Sequence, residues 1–422
     1  MEPEPRKQPH MNKLSSGDLI PVQLGRGKEK PVIQGHPWIF TGALKKIPTP
    51  PQTTWATLYN PEGIALGVGL FEPDESLCFR MFFPDQNQIP SHSQLCDRIV
   101  SAFNRRKFSS LTDAYRLIHA EGDLLPGLIL DKYNTEGILS SAYTSLPENL
   151  IQAFASCASL AGLQSLWLRL PGQDSQKIAI SQNPPEADAS GLISAEPPEA
   201  VIVLEEGIPL YAPLRKGQKT GLFLDQRDNR QNVRAHAQDK SVLNLFAYTG
   251  GFSLAALEGG AKQVTSVDVS KEALAWGQKS VQAWLDGNKT KKDSLFTHED
   301  RAEWVVADCF EYLRQPGPCA DLVIVDPPAF AKSKQALENA ARGYKDINRL
   351  ALLRTAPKGL FYTFSCSQKI SLTLFQQIIF SAALEAKRTC RIIQRLGAGS
   401  DHPVSLYCPE GEYLKGLLLE VD

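Results

Sequence analysis

A strand that stops at a pair of glycines and restarts as a helix constrains this chain more than any other feature. Val242 to Ala247 is an apolar run of the kind a buried strand needs. It breaks at Thr249-Gly250-Gly251, and apolar residues return at helical spacing as Phe252, Ala255 and Ala256. Glycines at such a turn let the backbone approach a ligand closely, with the free N–H groups of the helix start pointing at it. The turn lacks the G-x-G-x-x-G pattern of dinucleotide folds, which disfavours a nicotinamide cofactor. Three more apolar runs follow: Val264-Thr-Ser-Val-Asp268, Trp304-Val-Val-Ala-Asp308 and Ala320-Asp-Leu-Val-Ile-Val-Asp326. Each ends in an acid. The first stands at roughly the spacing where a carboxylate takes ribose hydroxyls, although a strand-end acid can also be a plain helix cap.

One glycine turn followed by three strand-end acids resembles the S-adenosylmethionine (SAM) site of class I methyltransferases. The resemblance implies an α/β chain whose C-terminal part is a Rossmann-like sheet. It implies that Phe246, Thr249 and Gly250 surround the methionine moiety of SAM. Asp268 would take the ribose diol, and Asp308 the adenine amine with Cys309 as its backbone neighbour.

At 422 residues the chain suits two or three domains. No apolar run reaches membrane-spanning length. Met1 to Ser16 is polar, carries three prolines and lacks the apolar core of a secretion signal, so a disordered tail is expected over 1–16. The eight cysteines form no C-x-x-C pair and no zinc-like spacing with histidine, which suits reduced thiols in a cytoplasm and no metal. A formal net charge of -1 excludes a chain basic all over, but not a local basic face for RNA.

Residues 17–88 read as short strands between turns, 89–214 as a mixed α and β region, and 215–422 as the methyltransferase domain. The first region opens with Gly25-Arg-Gly-Lys-Glu-Lys30 and continues into His36-Pro-Trp-Ile-Phe40. It resembles the PUA module, a small RNA-binding β-barrel. Trp38 and Phe40 are expected in the barrel core. Arg26, Lys28 and Lys30 are candidates for phosphate contacts. Helical spacing runs from Gln94 to Phe108. Tyr115 to Asp131 reads as two strands around a Gly/Pro turn, and Asn183 to Ala200 as a surface loop. In Gly217-Gln-Lys-Thr-Gly-Leu-Phe-Leu-Asp-Gln-Arg227 the glycines suit a tight turn, and Asp225 suits a helix cap. Gln226 and Arg227 are candidates for the cofactor pocket.

The R-L-x-x-x-E-x-D-x-L-P-G-L-x-x-D pattern of Arg116–Asp131, the G-x-K-T-G-x-x-L-D-Q-R signature, Thr363-Phe-Ser-Cys-Ser367 and Pro409-Glu-Gly-x-Tyr-Leu-Lys-Gly416 resemble one family. It is that of large-subunit ribosomal RNA methyltransferases built from a PUA domain, a central α+β domain and a class I domain. The type member modifies C5 of cytosine. The resemblance implies ribosomal RNA as partner, no membrane, and a possible homodimer. It implies Cys366, at the end of the strand Gly359–Ser365, as a nucleophile toward C6, since C5 of cytosine attacks a methyl group only after a thiolate has added there. Asp326, heading Asp-Pro-Pro, would hold N3 or the 4-amino group of a flipped-out cytosine, with Phe330 stacking on it. Lys332 and Lys334 are candidates for phosphates. Asp-Pro-Pro also resembles the amine-methylating loop, where the next residue is usually aromatic; here it is Ala329. The alternatives are thus purine N-methylation in RNA, with Cys366 only packing, or an RNA-binding assembly factor without activity.

Overall fold

A computed structural model describes residues 19–180, 191–287, 301–330 and 337–422. The tail expected over 1–16, Lys332 and Lys334, and residues 183–190 of the expected loop lie outside the described residues.

Five short strands (Ile20–Gln23, Trp38–Ile39, Thr54–Tyr59, Ala65–Phe71 and Phe79–Pro84) form the first sheet. Gly25 N–H donates to Ala43 O (2.8 Å) and Lys45 N–H to Gln23 O (2.9 Å), so the two edges meet and the sheet curls on itself. Val22, Leu24, Leu58, Phe71 and Phe79 fill its interior. Trp38 and Phe40 do not belong to that core. The period-two alternation of a strand turns Ile39 inward, leaving Trp38 half-buried and Phe40 48% exposed. The Trp38 indole N–H instead donates to Glu121 Oε1 of the next region (2.8 Å). The other faces of these strands are buried too. Trp55, Val68, Leu70 and Phe82 pack into a second cluster with Leu95, Ile118 and Leu139.

That second region opens with the helix His92–Asn104. Its start is fixed by a capping box in which Ser91 accepts the Gln94 N–H while the Gln94 side chain accepts the Ser91 N–H. A six-stranded sheet follows, and its edge strand Leu192–Ser194 falls where only loop was expected. The polar residues of the R-L-x-x-x-E-x-D pattern hold structure together. Arg116 Nε donates to Asp131 Oδ1 (2.7 Å), and Asp123 accepts from Arg105, Arg106 and the His119 N–H.

The C-terminal sheet has seven strands: β1 (Ser241–Leu245), β2 (Gln263–Asp268), β3 (Ala302–Val306), β4 (Ala320–Val325), β5 (Thr355–Ser365), β6 (Cys390–Leu396) and β7 (Lys415–Val421). Their order is β3-β2-β1-β4-β5-β7-β6, and only β7 runs against the rest. Alternate residues of β4 face opposite ways. Leu322 and Ile324 pack beneath α1 (Arg227–His236), α2 (Gly251–Glu258) and α3 (Lys271–Gly287). Val323 and Val325 pack beneath α4 (Cys309–Arg314), α5 (Leu337–Leu353) and α6 (Leu372–Glu385). The first of these cores runs on into the central region through Tyr133, Ile138 and Trp167.

Between β6 and β7 the chain leaves the sheet and straps across all three regions. Asp401 accepts the Arg116 N–H (2.9 Å) and lies 3.0 Å from Arg227 Nη1. Glu410 reaches His36 on the barrel (3.3 Å). His36, Cys408 and Glu410 offer ligand atoms within 4.8 Å of one another. The His36 Nδ1 accepts the Trp38 N–H (3.1 Å), which leaves its ring proton on Nε2, facing Glu410. The trio is therefore a hydrogen-bonded clasp. Among the described residues no helix is long and apolar enough to cross a membrane.

Candidate active site

The strand order reverses between β1 and β4, and in an open α/β sheet ligands sit at the strand ends beside that reversal. A cavity of about 380 Å³ lies there, lined from the ends of β1, β2, β4 and β5 and from the segment before α1.

On the β1 side, Phe246 (φ 58°) and Tyr248 (φ 50°) are non-glycine residues in the left-handed region, a conformation held only where surroundings enforce it. The Tyr248 N–H donates to Asp268 Oδ2 (2.8 Å) and its hydroxyl to Gly221 O (2.8 Å). Phe246, Thr249 and Asp268 line the cavity. Gly250 does not; Gly251 does. Gly250 is glycine because its φ is +72° and because a Cβ there would stand 2.5 Å from the Trp304 ring. Asp268 accepts one backbone N–H on each oxygen, from Tyr248 and Ser270. Each oxygen keeps a lone pair for a ribose hydroxyl, so the residues present fit the adenosine end of SAM.

Asp308 is exposed and outside the cavity lining; its Oδ1 caps α4 by accepting from Phe310 (2.9 Å) and Glu311 (3.0 Å). Cys309 is buried against β2, with its Sγ 3.3 Å from the Phe246 N, and burial pushes its thiol up to about 12.

Asp326 and Ala329 come from the end of β4, and Cys366 from the end of β5. Phe330 is not presented to this space. Its ring packs on Tyr344 (4.7 Å between centroids) and Phe310 (6.3 Å). In the signature segment, Gln226 lines the cavity but Arg227 turns away, paired with Asp401 and lying over the Phe108 ring (4.2 Å). Asp225 caps no helix: its Oδ2 accepts from Lys219 Nζ (2.7 Å) and from the Tyr413 hydroxyl (2.5 Å).

Of the three carboxylates that line the cavity, Asp225 and Asp326 are driven apart by their surroundings. Burial and the neighbouring Asp225 push Asp326 up to about 7. Burial acts on Asp225 too, but Lys219, His402 and Tyr413 outweigh it and hold that carboxyl well below the usual range. Near neutral pH one is an anion and the other a proton donor. The residues that sequence reasoning missed are Lys219, Tyr248 and Arg230, which lines the cavity while bound to Glu205 (2.7 Å). Lys219 sits inside the quoted signature and Tyr248 directly before the glycine turn, but nothing local distinguishes them from turn residues. Arg26 and Lys28 lie in the turn segment after the first barrel strand and Lys30 starts the short helix Lys30–Ile33; all three are exposed, and none forms an ion pair among the described residues.

A doubly wound sheet with this cavity at its switch point is the architecture of a SAM-dependent methyltransferase, and comparison with known proteins shows that class. A family model for S-adenosylmethionine-dependent methyltransferases matches residues 146–376, and one for a PUA-like domain matches residues 22–83. The chain is 36% identical to ribosomal RNA large subunit methyltransferase I of Tolumonas auensis, over 94% of this chain and 98% of that protein. It is 35% identical to the protein of the same name from Photobacterium profundum, again over 94% and 98%. The chain belongs to this ribosomal RNA large subunit methyltransferase I family. Two solved structures share its fold, each at 24% identity over 95% of this chain and 100% of theirs. One is a methyltransferase in complex with SAH (TM-score 0.77), the other a SAM-dependent methyltransferase from Streptococcus mutans (TM-score 0.75).

Proposed function

We propose that this chain methylates C5 of a cytosine in large-subunit ribosomal RNA through a covalent bond to Cys366. The observation that carries the reading is the placement of Cys366 and Asp326 on adjacent strand ends facing the cavity that Asp268 also lines. The relatives' names support RNA of the large subunit as substrate. The PUA-like barrel and its unpaired basic turn support RNA binding.

The Cys366 thiolate adds to C6, forming the C–S bond, while Asp326 gives its proton to N3. The electron pair released from the C5–C6 double bond makes C5 nucleophilic. Bound SAM supplies the electrophilic methyl group. A base then removes the C5 proton, the thiolate leaves C6 as the double bond re-forms, and N3 gives up its proton. Amine methylation at Asp326-Pro-Pro is the weaker reading, because the ring of Phe330 is committed to Tyr344.

RNA carrying 5-fluorocytosine at the target separates the two, since fluorine cannot leave as a proton. The wild-type enzyme should stop as a methylated covalent complex, and Cys366→Ala should give neither adduct nor methylation while keeping SAM affinity. Methylation by Cys366→Ala at near wild-type rate would exclude the covalent route.

A further inference from the structure

The chemistry above leaves one cavity residue without a part. Lys219 stands between Gly217 and Gly221 in a left-handed conformation (φ 50°), with its Nζ 2.7 Å from Asp225 Oδ2 and 4.5 Å from the Phe223 ring centroid. An ammonium has three N–H donors. Among the described residues, Asp225 is the only hydrogen-bond acceptor that Lys219 Nζ meets. Its side chain is 35% exposed, against 3% for Asp225. The other cavity cation, Arg230, is committed: Nε and Nη2 donate to Glu205, and Nη1 to Phe223 O.

Cys366 must become a thiolate to add to C6, and its surroundings oppose that. Burial pushes the thiol up, Asp326 adds to the push, and Asp225 does so more weakly; Lys219 is the cavity group that acts in the opposite direction. A second lysine faces Cys366 from β7. Lys415 pairs across the sheet with Ser365, is buried, and donates to Ser367 O (2.7 Å). It lies outside the cavity lining, and burial pulls its own affinity for a proton down.

We propose that Lys219 is a positioning residue for methyl transfer. Anchored by Asp225 and lining the same cavity as Cys366, its ammonium is the counter-ion that stabilises the Cys366 thiolate. The proposal rests on Cys366 being the nucleophile, but its test reads the thiol itself and needs neither RNA nor methyl transfer. A failure here is thereby distinct from a failure of the 5-fluorocytosine trap.

The full-length protein, loaded with SAH so that no sulfonium charge contributes, is alkylated with iodoacetamide across a range of roughly pH 6.5–10 that brackets an ordinary thiol. Labelling of the Cys366 peptide is followed by mass spectrometry, because eight cysteines are present. The alkylation rate tracks the thiolate fraction, and one unit in the thiol's pKa is about tenfold in rate below it. Lys219→Met should slow labelling of Cys366 about tenfold near neutral pH and move its midpoint upward, while Lys219→Arg should stay close to wild type. Lys415→Met should have the smaller effect. If Lys219→Met loses SAH binding through the unpaired Asp225, the paired variant Lys219→Met/Asp225→Asn takes its place and should still label more slowly than Asp225→Asn alone. An unchanged midpoint in the folded Lys219 variant, or a loss confined to Lys415→Met, overturns the proposal.

Discussion

Asp225 and Asp326 show how a cavity can assign opposite charge states to the same functional group. The first is fixed as an anion by Lys219 and Tyr413, while burial and then the neighbouring Asp225 raise the second to about 7. In the proposed mechanism Cys366 must lose a proton while Asp326 keeps one, so kcat/KM should rise with pH up to about 7 and level off above it, where ionisation of Asp326 offsets the growing thiolate fraction. The sign follows from both groups being raised: below about 7 only the thiolate fraction changes, and above it the donor is lost as fast as thiolate is gained. Asp326→Asn keeps a donor that does not titrate, and its profile of kcat/KM against pH should go on rising past 7. A profile that still levels off near 7 in that variant would assign the break to another group. We propose that Asp268 accepts two hydrogen bonds from ribose, worth roughly 1.5–3 kcal/mol together. Asp268→Ala should therefore weaken SAH about tenfold or more by calorimetry, with the melting profile retained. Asp268, Asp326 and Cys366 were readable from the sequence because each ends an apolar run. Arg227 and Phe330 were misplaced for the opposite reason: their partners, Asp401 and Tyr344, are distant in the chain.

At the level of elements, the strap between β6 and β7 does work that no local pattern announces. Its residues lack periodicity, and its contacts with His36, Arg116 and Arg227 reach far back along the chain. Gly122 marks how closely it docks: an added Cβ would stand 1.8 Å from Pro403 O. Because that neighbour is backbone, Gly122→Ala must move the strap or the turn, at about 1–3 kcal/mol. Thermal unfolding should show the loss, and an unchanged melting profile would argue against this packing. The buried strands of the catalytic sheet were legible as continuous apolar runs. The edge strand Leu192–Ser194 was not, since three residues in a Pro- and Glu-rich stretch carry no pattern. Trp38 and Phe40 were misread because aromatic character alone does not say which face of a two-residue strand turns inward.

For the whole molecule, the cores overlap rather than sit apart. The barrel strands share Trp55, Val68 and Phe82 with the central region, and that region shares Tyr133 and Trp167 with the catalytic sheet. Deleting the barrel would expose the first set, so its role in RNA binding is better tested by surface charge. The triple variant Arg26→Ala, Lys28→Ala, Lys30→Ala should weaken RNA binding. The slope of log K against log salt should become shallower by about 0.7–0.9 for each phosphate that the variant no longer neutralises. Affinity for SAH should be unchanged. An unaltered salt slope would place the RNA elsewhere.

The inner position of β7 has a consequence for how the enzyme comes into being. Of the seven strands it is the last in chain order, yet it lies between β5, which carries Cys366, and the edge strand β6. While residues 415–421 are still inside the ribosome, β5 has an open edge and β6 has no neighbour to pair with. A nascent chain thus holds Asp268 and Asp326 before it can support the strand of Cys366 on both sides. The sheet waits on the synthesis of β7 for its packing as well, because Leu418 completes the core on one face and Leu417, Leu419 and Val421 complete the core on the other.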